Sequence, residues 1–228
     1  MKKFFIVACM ILFAQICCAA PSTIDRSTAD STARQSFELR SVEGNYFDVY
    51  IVGDNEKILD DWLWANGDTI YAGDYSAYLG AENSSSLARQ SVELFADNYG
   101  DKHPQRINVT RDNRDGCCVV RGVNGLPDLL VSKIQITGGG YFAVKIFVVK
   151  NRQLQAVKFQ NDDGKLQDDR DTIFKPITYL DDGTISLPWH TNVVPQAGSY
   201  VTVYMFDADN LILIPAYTKN IWSPKLVN

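Results

Sequence analysis

Trp62, Trp64, Tyr71 and Tyr75 lie close together in the chain, with Tyr78 just beyond them. Flat rings on one sheet face can stack on sugar rings or on an apolar partner surface. Asp60, Asp61, Asp68 and Asp74 stand among them, and carboxylates so placed can accept hydrogen bonds from hydroxyls. Trp62, Trp64, Tyr71 and Tyr75 are therefore the candidate ligand-binding residues, for a carbohydrate or a protein partner. The competing role for the same rings is core packing or cross-strand pairing.

Catalytic chemistry finds less support. His103 and His190 each sit beside a proline or tryptophan in stretches read as loops. The chain has no Gly-x-Ser-x-Gly elbow, no His-Glu-x-x-His helix and no Cys/His cluster. No catalytic residue, metal site or cofactor is assigned. Paired carboxylates acting on a glycan remain an alternative, because acids are plentiful. A calcium loop of the EF-hand kind needs oxygen ligands at positions one, three and five before a glycine at six. Placing Gly116 at six puts Arg111 at one, and placing Gly164 there puts Phe159 at one, so both fail. The Asp-Asp-Gly stretches are turn chemistry instead.

Met1-Lys2-Lys3 followed by the apolar run Phe4 to Cys18 and then Ala19-Ala20 is the pattern of a secretory signal peptide, of bacterial look. Pro21 places the cut after Ala19, since proline just after a cut is poorly accepted. A lipidated Cys17 or Cys18 is the alternative, but the residues before them fit a lipobox badly. Loss of residues 1–19 takes Lys2 and Lys3, moving the net charge from −5 to about −7. An acidic chain without a basic stripe argues against nucleic acid as a partner. No other apolar run is long enough for a transmembrane helix. The place this implies is extracytoplasmic, periplasmic or secreted. Only Cys117 and Cys118 remain after cleavage. Being adjacent, they point to opposite faces of a strand. The alternative is a strained vicinal disulfide.

The elements that must position these groups are strands. Phe47, Val49 and Ile51 alternate with Tyr46, Asp48 and Tyr50. The period of two marks a half-buried strand. Phe142, Val144, Ile146 and Val148 alternate likewise, as do Val201, Val203 and Met205. Each run begins with a tyrosine after a glycine: Tyr46, Tyr141 and Tyr200. The repeated unit is a strand, a glycine turn, a long strand, a turn ending in Asn, and a returning strand. It is clear at 36–64, 132–159 and 184–217, and degraded at 91–121. Gly53-Asp54-Asn55 is read as the turn of the first copy, and Asn66-Gly67 as a type I′ turn that pairs Thr69–Tyr71 with Trp62–Trp64. Pro215 ends or edges its strand, and 190–197 is a loop. Ser31–Leu39 matches Ser86–Leu94 at seven of nine positions. That match favours strand over helix for Ser91–Phe95.

The class is all-β, as two β-sandwich-like halves, 33–126 and 127–228, after a flexible leader at 20–32. The alternative architecture is a small propeller-like closed array. Val123-Asn124-Gly125-Leu126-Pro127-Asp128-Leu129-Leu130-Val131, with the hairpin after it, resembles one blade of the FG-GAP type of repeat of extracellular β-propellers. The resemblance covers about 35 residues. Of the family's acidic segment only Asn124, Gly125 and Asp128 are present, so its calcium site is not implied here. The resemblance implies an adhesion or binding role. The expected function is a non-enzymatic β protein that binds a protein or carbohydrate at the cell envelope. A glycan-active hydrolase or an accessory subunit of an envelope assembly are the alternatives. Function belongs where the units differ: the Trp62–Tyr78 insertion, the Cys117-Cys118 strand and the acidic loop Asp162–Asp171.

Mass spectrometry of protein recovered outside the cytoplasm tests the leader. The expected chain starts at Ala20 and carries no lipid. A diacylated Cys17 or Cys18 at the new terminus would establish the lipoprotein instead.

Overall fold

The computed structural model describes residues 22–59, 69–95, 105–109, 116–137, 140–173, 175–193 and 197–222. About two thirds of them lie in the strands of two sheets, as the alternating patterns require. The first sheet contains β1 (Thr23–Asp25), β2 (Ala33–Arg40), β3 (Tyr46–Ile58), β4 (Ile70–Ala81), β5 (Ser86–Arg89) and β6 (Arg106–Asn108). Its order is β1-β5-β4-β3-β2, and β6 also pairs with β4. One helix, α1 (Arg26–Thr32), follows β1. The second sheet holds β7 (Gly116–Val120), β8 (Leu129–Thr137), β9 (Tyr141–Lys150), β10 (Gln153–Gln160), β11 (Leu166–Gln167), β12 (Arg170–Ile173), β13 (Thr178–Tyr179), β14 (Ile185–Thr191), β15 (Gly198–Asp207) and β16 (Ile212–Trp222). Its order is β13-β14-β15-β16-β10-β9-β8-β7, with β11 on β10 and β12 on β9. Strand pairing passes from one sheet to the other between Asn108 and Gly116, ahead of residue 127. Among the described residues, no helix is long and apolar enough to cross a membrane.

β9 is the centre of the second sheet, and its residues Phe142 to Val149 are all buried. Its even positions Phe142, Val144, Ile146 and Val148 pack with Leu187, Tyr204 and Leu213 of β14 to β16. Its odd positions Phe147 and Val149 pack with Val49, Ile51, Ala77 and Phe95 of the first half. One strand thus closes two cores. The hairpin that follows turns on Asn151 and Arg152, both left-handed (φ 53° and 61°). That is the two-residue type I′ geometry.

Polar side chains tie the sheets together. Gln35 and Gln90 occupy the same place in the nine-residue repeat, and each reaches a backbone of the second sheet. The Gln35 amide accepts from Cys117 N at 2.7 Å and donates to Cys117 O at 3.2 Å. Gln90 Oε1 accepts from Leu154 N at 2.9 Å. Leu39 and Leu94, also equivalent in the repeat, both lie buried in the shared core. Buried Arg106 donates to Gln135 O at 2.6 Å. Asp128 is buried as a clasp: it accepts from Arg40 N, Gly122 N and the Arg121 guanidinium at 2.7–3.0 Å.

The structure corrects several local expectations. Residues 23–32, read as flexible leader, form β1 and α1. Ala29 is buried, and Arg26 fixes the start of the helix through Ser84 O (2.6 Å) and Asp48 (2.7 Å). Gly53-Asp54-Asn55 is a bulge inside β3 and not a turn. The register shifts between Asp54 and Lys57, and Asn55 takes φ 54°. Gly73 lies opposite, where a Cβ would come within 2.8 Å of Asp54 O. The second copy of the repeat is strand at Ser86–Arg89 and leaves the ladder over residues 91–95, with neither helix nor strand there. Pro215 sits within β16 beside a register shift, where no ladder N–H is needed. His190 belongs to β14, so the loop begins after Thr191. The Asn66-Gly67 turn lies outside the described residues, but the pairing expected from it does not hold. Tyr71 lies opposite Ile58 and Ile70 O accepts from Leu59 N, so Tyr71 does not take Trp62 as its partner.

Truncation of either face of β9 should therefore be costly. Phe147→Ala and Ile146→Ala are each expected to lower unfolding free energy by about 2–5 kcal/mol in urea titrations. If one of them is nearly neutral, β9 serves a single core.

Candidate functional site

The expected aromatic platform is not presented to solvent where it is described. Trp62 and Trp64 lie outside the described residues. Tyr71 is half-buried under the Arg34 guanidinium, 4.0 Å from the ring centre. Arg34 is held there by Glu56 at 2.6 Å. Tyr75 is only 7% exposed, sets its ring edge-on to Phe95, and donates its hydroxyl to Tyr71 O at 3.0 Å. Burial, with the Glu56 charge next, pushes the Tyr75 phenol far up. Tyr78 is 1% exposed and packs with Ala29 of α1 on the outer face of the first sheet. Both of these tyrosines are core residues. Cys117 and Cys118 are free thiols on opposite faces of β7, as alternation requires. His103 lies outside the described residues.

The groove that gathers accessible chemistry is elsewhere, between β12 and β14. Alternation puts Trp189 on the same face of β14 as the buried Ile185 and Leu187. It therefore stands at the end of the second core. Its cross-strand partner is Tyr200, and the rings stack at 4.6 Å and 17°. The indole Nε1–H donates to Thr202 Oγ1 at 2.9 Å, and Thr202 in turn contacts Thr218 at 2.9 Å. His190 takes the opposite face. Its Nδ1 lies 2.9 Å from Ser199 Oγ, and its Nε2 lies 2.9 Å from Asn192 Oδ1. The Asn192 amide nitrogen donates to the Tyr141 hydroxyl at 3.0 Å. With that amide orientation, Nε2 carries the proton and Nδ1 accepts from the Ser199 hydroxyl.

A serine donating to a histidine is one part of an acyl-transfer nucleophile. Here the far side of the ring leads to a neutral amide and a phenol. Among the described residues, no carboxylate is hydrogen-bonded to the ring. The contact positions the ring and organises the rim.

β12 forms the facing wall. Thr172 Oγ1 donates to Pro188 O at 2.5 Å and fastens β12 to β14. Asp169 and Asp171 flank Arg170, and two residues apart on extended chain they share one side. Arg170 is steadied by Asn161 Oδ1 at 2.7 Å. Gln167, Asp169, Arg170, Asp171, Trp189, His190 and Thr191 enclose about 470 Å³. Burial raises the Asp169 carboxyl above the usual carboxylate value; Lys145 opposes this, and Asp171 reinforces it. Loss of hydration in the groove raises Asp171 as well, against the pull of Arg170. Among the described residues, no group of His, Cys, Asp and Glu is placed to hold a metal ion. The acidic loop Asp162–Asp171 was the one sequence signal that led towards this groove. Trp189 carried none, because its partners come from other strands.

A raised carboxyl favours the folded state only when protonated. As pH falls through the raised value, Asp169 ceases to oppose folding. Asp169→Asn is therefore expected to melt above the parent near neutral pH, with the advantage shrinking on acidification. Melting curves of both proteins between about pH 7 and about pH 4 test this, and a constant offset would contradict it. No protein-family model, no curated protein and no solved structure matches this chain.

Proposed function

We propose that the protein binds a carbohydrate, outside the cytoplasm at the cell envelope, in the groove between β12 and β14. The observation that carries this reading is the composition of the groove. Trp189, stacked on Tyr200, lines it together with two carboxylates, a guanidinium, a primary amide and an imidazole. Sugars present apolar C–H faces edged by hydroxyls. Aromatic faces match the first, and planar polar groups match the second. The donors and acceptors are held in place by neighbours. Trp189 is fixed by Thr202, His190 by Ser199 and Asn192, and Arg170 by Asn161. Such fixed groups lose little freedom when a ligand arrives.

A second reading is favoured by one observation. Asp169 and Asp171 share the groove and both have raised carboxyls, the condition a glycosidase acid requires. Binding and turnover separate by experiment. On a glycan array the protein is expected to select one class of saccharide. Asp171→Asn is expected to weaken that binding at least tenfold, or about 1.4 kcal/mol. The exposed Lys165→Gln, away from the groove, should not. Shorter saccharides released on prolonged incubation, and absent with Asp169→Asn, would establish the hydrolase. A blank array, with a protein partner recovered from envelope extracts, would end both readings.

A further inference from the structure

A separate cavity opens into the second core on the β7 and β8 side. It encloses about 260 Å³. Its walls include Val131, Phe142 and Ile177, all buried members of that core. The half-buried thiol of Cys118 joins them. Alternation along β8 puts Lys133 on the same face as Leu129 and Val131, so its stem runs along this apolar wall. Lys133 is half-buried and makes no ion pair among the described residues. Lys175, exposed at the rim, makes none either. A half-buried ammonium beside apolar walls gives up part of its hydration, and no carboxylate among the described residues pairs with it.

We infer that this cavity binds a small apolar carboxylate, its head group between Lys133 and Lys175 and its chain against Val131, Phe142 and Ile177. The anion restores the missing counter-charge, and the tail covers surface that would otherwise stay wet. The apolar walls disfavour inorganic anions, which would have to shed water for two lysines alone. The volume lies at the small end of ligand cavities, which begin near about 300 Å³. The chain that fits is therefore of medium length, about eight carbons. This site shares no lining residue with the β12–β14 groove and does not depend on a carbohydrate ligand.

Cys118 supplies an internal reporter. Cys117, on the opposite face, is fully buried and its thiol is pushed up by that burial, so it stays inert. The intact protein is titrated with octanoate by calorimetry, with octanol and octylamine as matched probes. Alkylation of Cys118 by iodoacetamide is followed by mass spectrometry in parallel. Octanoate is expected to bind saturably and to slow alkylation over the same concentration range. Octanol should bind at least tenfold more weakly, and octylamine not at all. Lys133→Gln, and separately the exposed Lys175→Gln, should each weaken octanoate at least threefold and leave octanol unchanged. Absence of saturable octanoate binding to the parent would overturn the inference. So would equal affinity for octanoate and octanol, or unchanged octanoate affinity in both variants.

Discussion

Complete burial of β9 on both faces governs the rest of the structure. A strand with no solvent on either side must satisfy its backbone within the protein and present apolar groups both ways. β8 takes one edge from Tyr141 to Phe147, and beyond it Val149 O accepts from Val42 N. The other edge is divided: β12 pairs with Tyr141–Val144, and β10 pairs with Ile146–Lys150. Because β12 is drawn onto β9, its acids meet β14, and the groove follows from that arrangement. The exception along the strand is Lys145. Its stem is buried among core residues while its ammonium reaches Glu93 Oε2 at 2.8 Å. Glu93 itself remains largely exposed, so the carboxylate keeps most of its water while the buried lysine reaches out to it.

The strands and most of their connections were legible in the residues. Period-two alternation located β3, β9 and β15. Turn residues located the β9–β10, β13–β14 and β15–β16 connections. Local reading went astray where two geometries require the same residue. Asn55 in a left-handed conformation suits a turn and a bulge alike, and only the presence of β4 alongside decides between them. The helix α1 was invisible because its sequence is polar and just one residue, Ala29, is buried. The second buried face of β9 was hidden by Lys145, which reads as a solvent-facing residue.

The groove was less legible than the fold. Density of aromatics along the chain drew attention to the stretch from Trp62 to Tyr78. Three-dimensional partners, not spacing, decide which rings are available, and Tyr75 and Tyr78 are taken by Phe95 and α1. The groove itself joins residues 167–171 to 189–191 across a side-chain bond from Thr172 to Pro188. Nothing local in either stretch announces that contact. The nine-residue repeat, by contrast, was legible and is now intelligible. Its glutamines do the same job twice, since a primary amide can both donate to and accept from a backbone.

The seam between β10 and β16 has a consequence for the order in which the molecule assembles. It is the one parallel pairing described, and it consists of Lys158 beside Ile212 and Phe159 beside Leu213. β14, β15 and β16 form a meander of neighbours and need only local closures. Joining β16 to β10 requires a long intervening segment to be gathered for very few bonds, which makes it a late and slow event. Until it occurs, the face of Val144, Ile146 and Val148 lacks its cover. A nascent chain would pass through a period in which an apolar strand face is open to other chains, and crowding or chaperone supply would then set the yield of folded protein.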